Sequence, residues 1–483
     1  MLCSGSDRLA LSVAITRREL FSRVSTGFGG LALAALMGEF DSRSAARAIE
    51  LDRPATFDLF PKPPHYRQRA SSVIQLFMPG GPSHVDLFDP KPELEKRDGQ
   101  DPPAEITDEE KVTNKLLKSP FKFAKHGQSG LEISEVMPHL ARHADDIAVI
   151  RSMFSEHRNH EQAMWMLHSG MITSGRPTIG SWATYGLGAE NQNLPAFVVL
   201  NDLGGLPTNA MQNWTSGWLP PLYQGTPLRS EGMPVLNLRP KQPRPEAVEQ
   251  GRREFLSKLN ARHRERHPDE LELDARIASF ELAARMQLSA TDALDLSQET
   301  EATKKMYGLD RDATRSYGTR CLLARRLVER GVRFVQLTMP GQPWDTHANN
   351  AADTRKCCDQ TDQPVAAILT DLKRSGLLDT TLIFWAGEFG RTPAAQGKDG
   401  RDHHPYGFSI WLAGGGIKGG VCHGATDPFG HHAIENRVSM ADLHGTMLHL
   451  LGLDHKRLTF RHNSRDDRLT DVHDARILQE LIA

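Results

Sequence analysis

The sequence predicts an α/β fold, a mostly parallel central sheet with helices on both faces. Three observations carry this expectation. Short runs rich in β-branched and apolar residues recur at 72–78, 147–153, 333–338 and 381–386, the pattern of strands buried on both faces. Segments of helical periodicity lie between them, as at 320–330 and 362–372. Each of the four runs ends in a loop carrying Asp, Glu or His. In open α/β sheets ligands bind at the carboxyl ends of the strands, so these loops are where a site is expected.

Composition narrows the function classes. The chain has 483 residues, room for one large domain or two ordinary ones. Its 39% hydrophobic and 24% charged residues fit a globular protein. A net charge of −2 argues against a nucleic-acid or other general polyanion binder. Five cysteines without a CxxC pair give neither a disulfide framework nor a thiolate zinc site. The adjacent Cys357 and Cys358 read as a helix surface pair.

Residues 1–48 read as an export signal. Thr16-Arg17-Arg18-Glu19-Leu20-Phe21 resembles a twin-arginine motif, and Ala46-Arg47-Ala48 offers a small-residue cleavage site. The apolar run between them is too short and too rich in glycine for a stable membrane span. The expectation is a protein exported by the twin-arginine machinery to the periplasm or the outside. Residues 49–69, rich in proline, read as a leader, and 70–483 as a single α/β domain.

The first strand, 72–78, stops at Pro79-Gly80-Gly81-Pro82. Ser83, His84, Asp86 and Asp89 follow closely, a first candidate site loop. The charged stretch 93–130 reads as solvated helix and loop, and 137–143 as a helix. After the strand 147–153 come His157, Arg158, Asn159, His160, Glu161 and Gln162 ahead of a helix. A polar loop before a helix N-terminus suits a nucleophile or an anion site. So many ionisable groups would be costly if buried without partners. His168, inside that helix, reads as structural.

A further strand is expected at 195–200. Residues 201–245, rich in Gly, Pro and Trp, read as loops or a cap, and 246–318 as a charged helical excursion, together an insertion at about 201–318. The strand 333–338 leads to Trp344-Asp345-Thr346-His347, and an Asp-x-His pair can hold a metal through oxygen and nitrogen. The strand 381–386 leads to Glu388 and Arg391 on a glycine-punctuated loop, with Asp402, His403 and His404 about a dozen residues on. A strand at 408–412, a glycine loop at 414–420 that lacks the Lys-Ser/Thr ending of a P-loop, and a helix at 440–451 complete the chain.

These motifs resemble a known superfamily. Residues 376–384, the Asp402-His403 pair, the glycine turn 414–420 and the segment 438–448 are similar to elements of sulfatases and related phosphohydrolases. Gly80-Gly81-Pro82-Ser83-His84, Trp344-Asp345-Thr346-His347 and Gly387-Glu388-Phe389-Gly390-Arg391-Thr392 resemble an exported bacterial family catalogued as domain of unknown function 1501. The resemblance covers roughly residues 70–460 and implies an alkaline phosphatase/sulfatase-like fold. It implies divalent metals, two zinc ions or one calcium, and an alkoxide-type nucleophile attacking a phosphate or sulfate ester. Asp345, His347, Glu388 and His403 take the metal-ligand positions, with Phe389 where the family has a histidine and His404 as the alternative to His403. Gly81 stands about where a metal-binding Asp is expected, so either Ser83, Asp86 or Asp89 substitutes or that ligand is absent. The Cys-x-Pro-Ser-Arg nucleophile motif of sulfatases is absent, and Asn159-His160-Glu161-Gln162 stands near its place.

The expectation is therefore a metal-dependent hydrolase of a small phosphate or sulfate ester, or of an esterified glycan. His160 or His157 would serve as nucleophile or general acid/base, and Arg158 or Arg391 would hold the ester oxygens. The alternative is a non-catalytic binding protein for sulfated or phosphorylated glycans on the same fold.

Overall fold

The computed structural model describes residues 57–106, 115–229, 245–267 and 271–483. The expected signal at 1–48 and the first part of the expected leader lie outside the described residues. Residues 57–69 are described and pack on the domain, where the Leu59 carbonyl accepts from the Ala189 amide at 2.8 Å.

An eight-stranded sheet organises the fold. In chain order the strands are β1 (Ser72–Phe77), β2 (Phe123–His126), β3 (Leu131–Ser134), β4 (Ile147–Met153), β5 (Phe197–Asn201) and β6 (Thr226–Arg229). Then come β7 (Phe334–Leu337), β8 (Thr381–Ala386), β9 (Gly390–Gln396), β10 (Gly400–His404), β11 (Phe408–Ala413) and β12 (Val421–His423). The sheet runs β12-β4-β11-β8-β1-β7-β5-β6. All neighbours pair in parallel except β11, which is antiparallel to both β4 and β8. The mostly parallel sheet is therefore present, with one reversed strand.

Central strands are mostly apolar because both faces are covered. Every residue of β1 and β8 is buried. Helix α1 is His84–Leu87, α2 Pro92–Lys96, α3 His160–Ser169 and α4 Ile179–Leu187. Helices α5 (Glu246–Arg266), α6 (Leu271–Leu294) and α7 (Glu301–Met306) form the charged excursion. Helix α8 (Asp312–Glu329) buries Leu322, Leu323 and Leu327. Next, α9 (Asn350–Ser375) buries Val365, Ile368, Leu369 and Leu372. Helix α10 (Met440–Leu450) starts at a capping box between Ser439 and Asp442, which satisfies the free amides of its first turn.

Several expectations are corrected. The stretch 93–130 contributes β2, which pairs antiparallel with β3 just beyond it. The expected helix at 137–143 is a short 3₁₀ turn at Leu140–His143. The segment 201–245 contributes β6 to the sheet edge, where Pro227 is tolerated because an edge strand leaves donors unpaired. Arg391 lies not on a loop but on β9, paired with β10. Cys357 and Cys358 are buried, not a surface pair. Among the described residues no helix is long and apolar enough to cross a membrane.

Candidate metal centre

The carboxyl ends of β1, β4, β7 and β8 share one rim of the sheet, as parallel strands must. Each leads straight into a loop named above. The chain after β8 returns along the hairpin β9–β10 and enters β11 in reverse, so His403 reaches the same rim. His160 is the first residue of α3, after β4. Asp345 and His347 follow β7.

Four residues converge there. One ligand atom from each of His160, Asp345, His347 and His403 lies within 4.8 Å of the others. The Asp345 carboxylate is the centre. His347 Nε2 and His403 Nε2 lie 3.0 and 3.1 Å from its Oδ1, and His160 Nε2 lies 3.4 Å from its Oδ2. His347 is the most exposed member, at 38% of its side chain against 11% for His160. The open side of the group is therefore the His347 side.

Around these four, other groups fix the rings. Glu388 is fully buried and accepts from His160 Nδ1 at 2.6 Å. The Gly80 amide holds Glu388 in turn at 3.0 and 3.2 Å. Gln396 Oε1 hydrogen-bonds His347 Nδ1. Arg391 is fully buried behind Asp345 and donates to it at 2.5 Å. The same guanidinium donates to the carbonyls of Gly80, Gly81 and Arg401. The ring of Phe389 packs on His160 and His403, with centroids 5.0 and 4.8 Å away.

The residues fit a metal ion. His160 Nε2 is buried, has only a long contact with the Asp345 carboxylate at 3.4 Å, and faces it with its other nitrogen already engaged by Glu388. So long a contact satisfies a buried polar atom poorly, and a metal in the group would satisfy it. Three imidazole nitrogens and a carboxylate oxygen form a donor set typical of a four-coordinate ion. A carboxylate or amide behind a ligating histidine sets its tautomer and orientation.

Electrostatics agree. Burial works against the His160 cation, but Asp345 and Glu388 outweigh it and lift the ring to about 9. Burial pushes the Asp345 carboxyl up, and His160, His403 and Arg391 together hold it far below the ordinary carboxylate range. His403 is lowered, first by burial, against the pull of Asp345. Strongly perturbed titratable groups cluster at functional sites.

The remaining candidates lie elsewhere. Ser83 donates to Asp86 at 2.6 Å, and Asp86 pairs with the buried Arg401. His84 Nε2 donates to the Gly430 carbonyl at 2.7 Å, and Asp89 pairs with Lys91 at 2.9 Å. None of the four reaches the metal group. Position 81 has no room for the expected Asp: at φ +76, a Cβ there would come within 2.6 Å of the Phe389 ring. Asn159 is the N-cap of α3. The Glu161 carbonyl accepts from Asn209 at 2.8 Å, and His157 Nδ1 accepts from the Asn159 amide at 3.2 Å. His404 turns away and bonds the His431 carbonyl. Arg158 lies beside the group, donating to the His403 carbonyl at 3.4 Å. Sequence reasoning missed Gln396 and Arg401. Arg401 stands in the Gly400-Arg401-Asp402-His403 stretch, whereas nothing in the sequence marks Gln396.

Residues 70–482 match the family described as "Protein of unknown function (DUF1501)", and the chain belongs to that family. No protein of curated function matches the sequence. Among solved structures the chain is similar to a sulfatase from Pseudoalteromonas sp., at 12% identity and TM-score 0.33, covering 80% of this chain and 68% of that one. It is similar to a phosphonate monoester hydrolase from Silicibacter pomeroyi, at 12% identity and TM-score 0.32, covering 71% of each. It is also similar to a protein in the alkaline phosphatase superfamily from Vibrio parahaemolyticus, at 10% identity and TM-score 0.32, covering 89% of this chain and 76% of that one. Likenesses this distant say nothing of what this chain acts on.

Proposed function

We propose that the protein is an exported, metal-dependent hydrolase of phosphate or sulfate esters. One observation carries the reading: three imidazoles converge on the single carboxylate of Asp345, with one ligand atom of each within 4.8 Å of the others. His160, Asp345, His347 and His403 would hold one divalent ion. Three nitrogens and one carboxylate suit zinc better than calcium, which takes six to eight oxygens. Such an ion would supply Lewis-acid polarisation of an ester oxygen and acidify water.

The chain's own groups have separable tasks. Glu388 takes the Nδ1 proton of His160 as a hydrogen bond and leaves Nε2 free to donate its lone pair. Gln396 does the same for His347. Arg391 neutralises Asp345 from behind, and its burial keeps it from touching an ester. Arg158, with 26% of its side chain exposed beside Asp402, is the guanidinium placed to hold ester oxygens. With His160 engaged as a ligand, His157 is left to move a proton. The substrate enters from the His347 side, as a small ester or an esterified glycan.

Export rests on Thr16-Arg17-Arg18 and Ala46-Arg47-Ala48. The N-terminal mass of protein recovered from a periplasmic fraction tests it.

Elemental analysis of the purified protein, followed by a screen of aryl phosphates, aryl sulfates and sulfated sugars, tests the activity. About one zinc per chain with turnover that a chelator abolishes is the expected result. No metal, and no uptake when metals are added back, would overturn the reading. Metal without turnover on any ester would leave the binding protein as the better account.

A further inference from the structure

We infer that the buried Asp86–Arg401 pair is a positioning device for the metal centre; the inference rests on the metal-binding reading above. Both side chains are fully buried. The pair is bidentate: Arg401 Nε donates to Asp86 Oδ2 at 2.8 Å and a terminal nitrogen donates to Oδ1 at 3.0 Å. Neither residue belongs to the four-residue group. A fully buried ion pair gains little stability over apolar residues of the same size, so its use is to be sought in geometry.

That geometry is a closed ring of hydrogen bonds. Asp86, on α1, accepts from Arg401 on β10. The Arg401 amide donates to the Thr346 carbonyl at 2.9 Å. The Thr346 hydroxyl donates to Asn350 Oδ1 at 2.7 Å, and Asn350 Nδ2 returns to Asp86 Oδ2 at 2.8 Å. Thr346 stands between the ligands Asp345 and His347. Arg401 stands two residues before His403, and the register of β10 shifts between them, a bulge that re-aims the following side chain. The ring thus fixes the backbone from which three of the four ligands project. Arg401 also donates to the carbonyls of Thr392, Leu117 and Lys118, which ties the hairpin to the body of the domain.

Cobalt and zinc titration of the full chain tests this, alongside thermal unfolding of the metal-free protein. Asp86→Asn keeps the shape and removes the charge. Thr346→Val keeps the size of the side chain and removes one bond of the ring. We expect Asp86→Asn to bind 10–100-fold more weakly, the range for groups that support metal ligands, and Thr346→Val severalfold more weakly. Both should alter the visible spectrum of bound cobalt, which a merely stabilising pair would leave unchanged. Should Asp86→Asn fail to fold, Thr346→Val decides alone. Wild-type affinity and cobalt spectrum in folded Thr346→Val would overturn the inference. Absence of metal from the wild-type protein would overturn the metal reading itself, a distinct result.

Discussion

Helix α3 carries a histidine at each end, and the two have been driven in opposite directions. His160, at the first position, faces Glu388 and Asp345 and is lifted to about 9. His168, eight residues on, is wholly buried, and burial and the neighbouring His444 lower it to about 3. The ring of His168 meets the edge of Phe77 at 4.7 Å, and its Nδ1 lies 3.4 Å from Gln75 Nε2. His444 is itself lowered to about 4 by burial, and donates to the Leu167 carbonyl at 2.8 Å. Burial opposes the cation at both ends of α3, so it does not by itself set their opposite directions. Carboxylates do. A buried imidazole beside two carboxylates is a base or a ligand, and one among apolar rings is a packing element.

The sharpest break of this comparison is His160→Ala. Metal affinity should fall by more than the roughly 10–100-fold typical of supporting groups, measured by competition with a chromophoric chelator. His168→Leu should leave that affinity within about twofold.

Acid should separate the two ends next. The unfolded chain takes up protons on His168 and His444 below about 6.5, and the folded protein refuses them until about 3 and 4. Their contribution is therefore complete above pH 6.5 and is lost as pH falls through that window, on the order of a few kcal/mol each. Asp362, raised to about 6 by burial, works the other way between its ordinary 3.8 and 6, and the two imidazoles outweigh it. Urea midpoints at pH 7 and pH 5 should show a clear loss for the wild type and a smaller one for His168→Leu.

Glu388→Gln sharpens the comparison at the other end. Without the carboxylate, the His160 pKa should drop, and metal binding should weaken by about 10–100-fold. Histidine NMR titration and chelator competition read the two effects. A variant that lost stability but kept both would show that Glu388 does not act through His160. The smallest expected effect is at Gln75. Its bond to His168 is long, so Gln75→Leu should change stability by no more than about 1 kcal/mol, measured by urea unfolding at pH 7.

How much of this was legible follows from the same physics. Strands β4 and β8 match their expected bounds because each carries a run of apolar, mostly β-branched or aromatic residues that the sheet buries. Asp345, His347 and His403 were found because they sit in short polar motifs directly after, or directly before, such strands. The hairpin β2–β3 was missed because its first strand, Phe123–His126, is largely solvent-facing and rich in charge. The hairpin β9–β10 was missed because Gly390–Gln396 is small, polar and interrupted by Pro393. The partnership of Glu388 with His160 spans 228 positions, and no local pattern encodes a contact at that separation. For that reason the sequence reading set Glu388 among the metal ligands and His160 among the catalytic groups, whereas the four converging residues include His160 and place Glu388 behind it.

The reversed strand β11 has a consequence for the order of assembly. A parallel strand offers its residues to the rim as the chain leaves the sheet, but a reversed one offers them as the chain arrives. His403 is therefore delivered by chain entering β11, after β1, β4, β7 and β8 have all been synthesised. A nascent chain that has not yet added β10 and β11 already contains His160, Asp345 and His347 and still lacks His403. Loop closure over such separations is slow, so on the proposed metal-binding reading ion capture would be a late event.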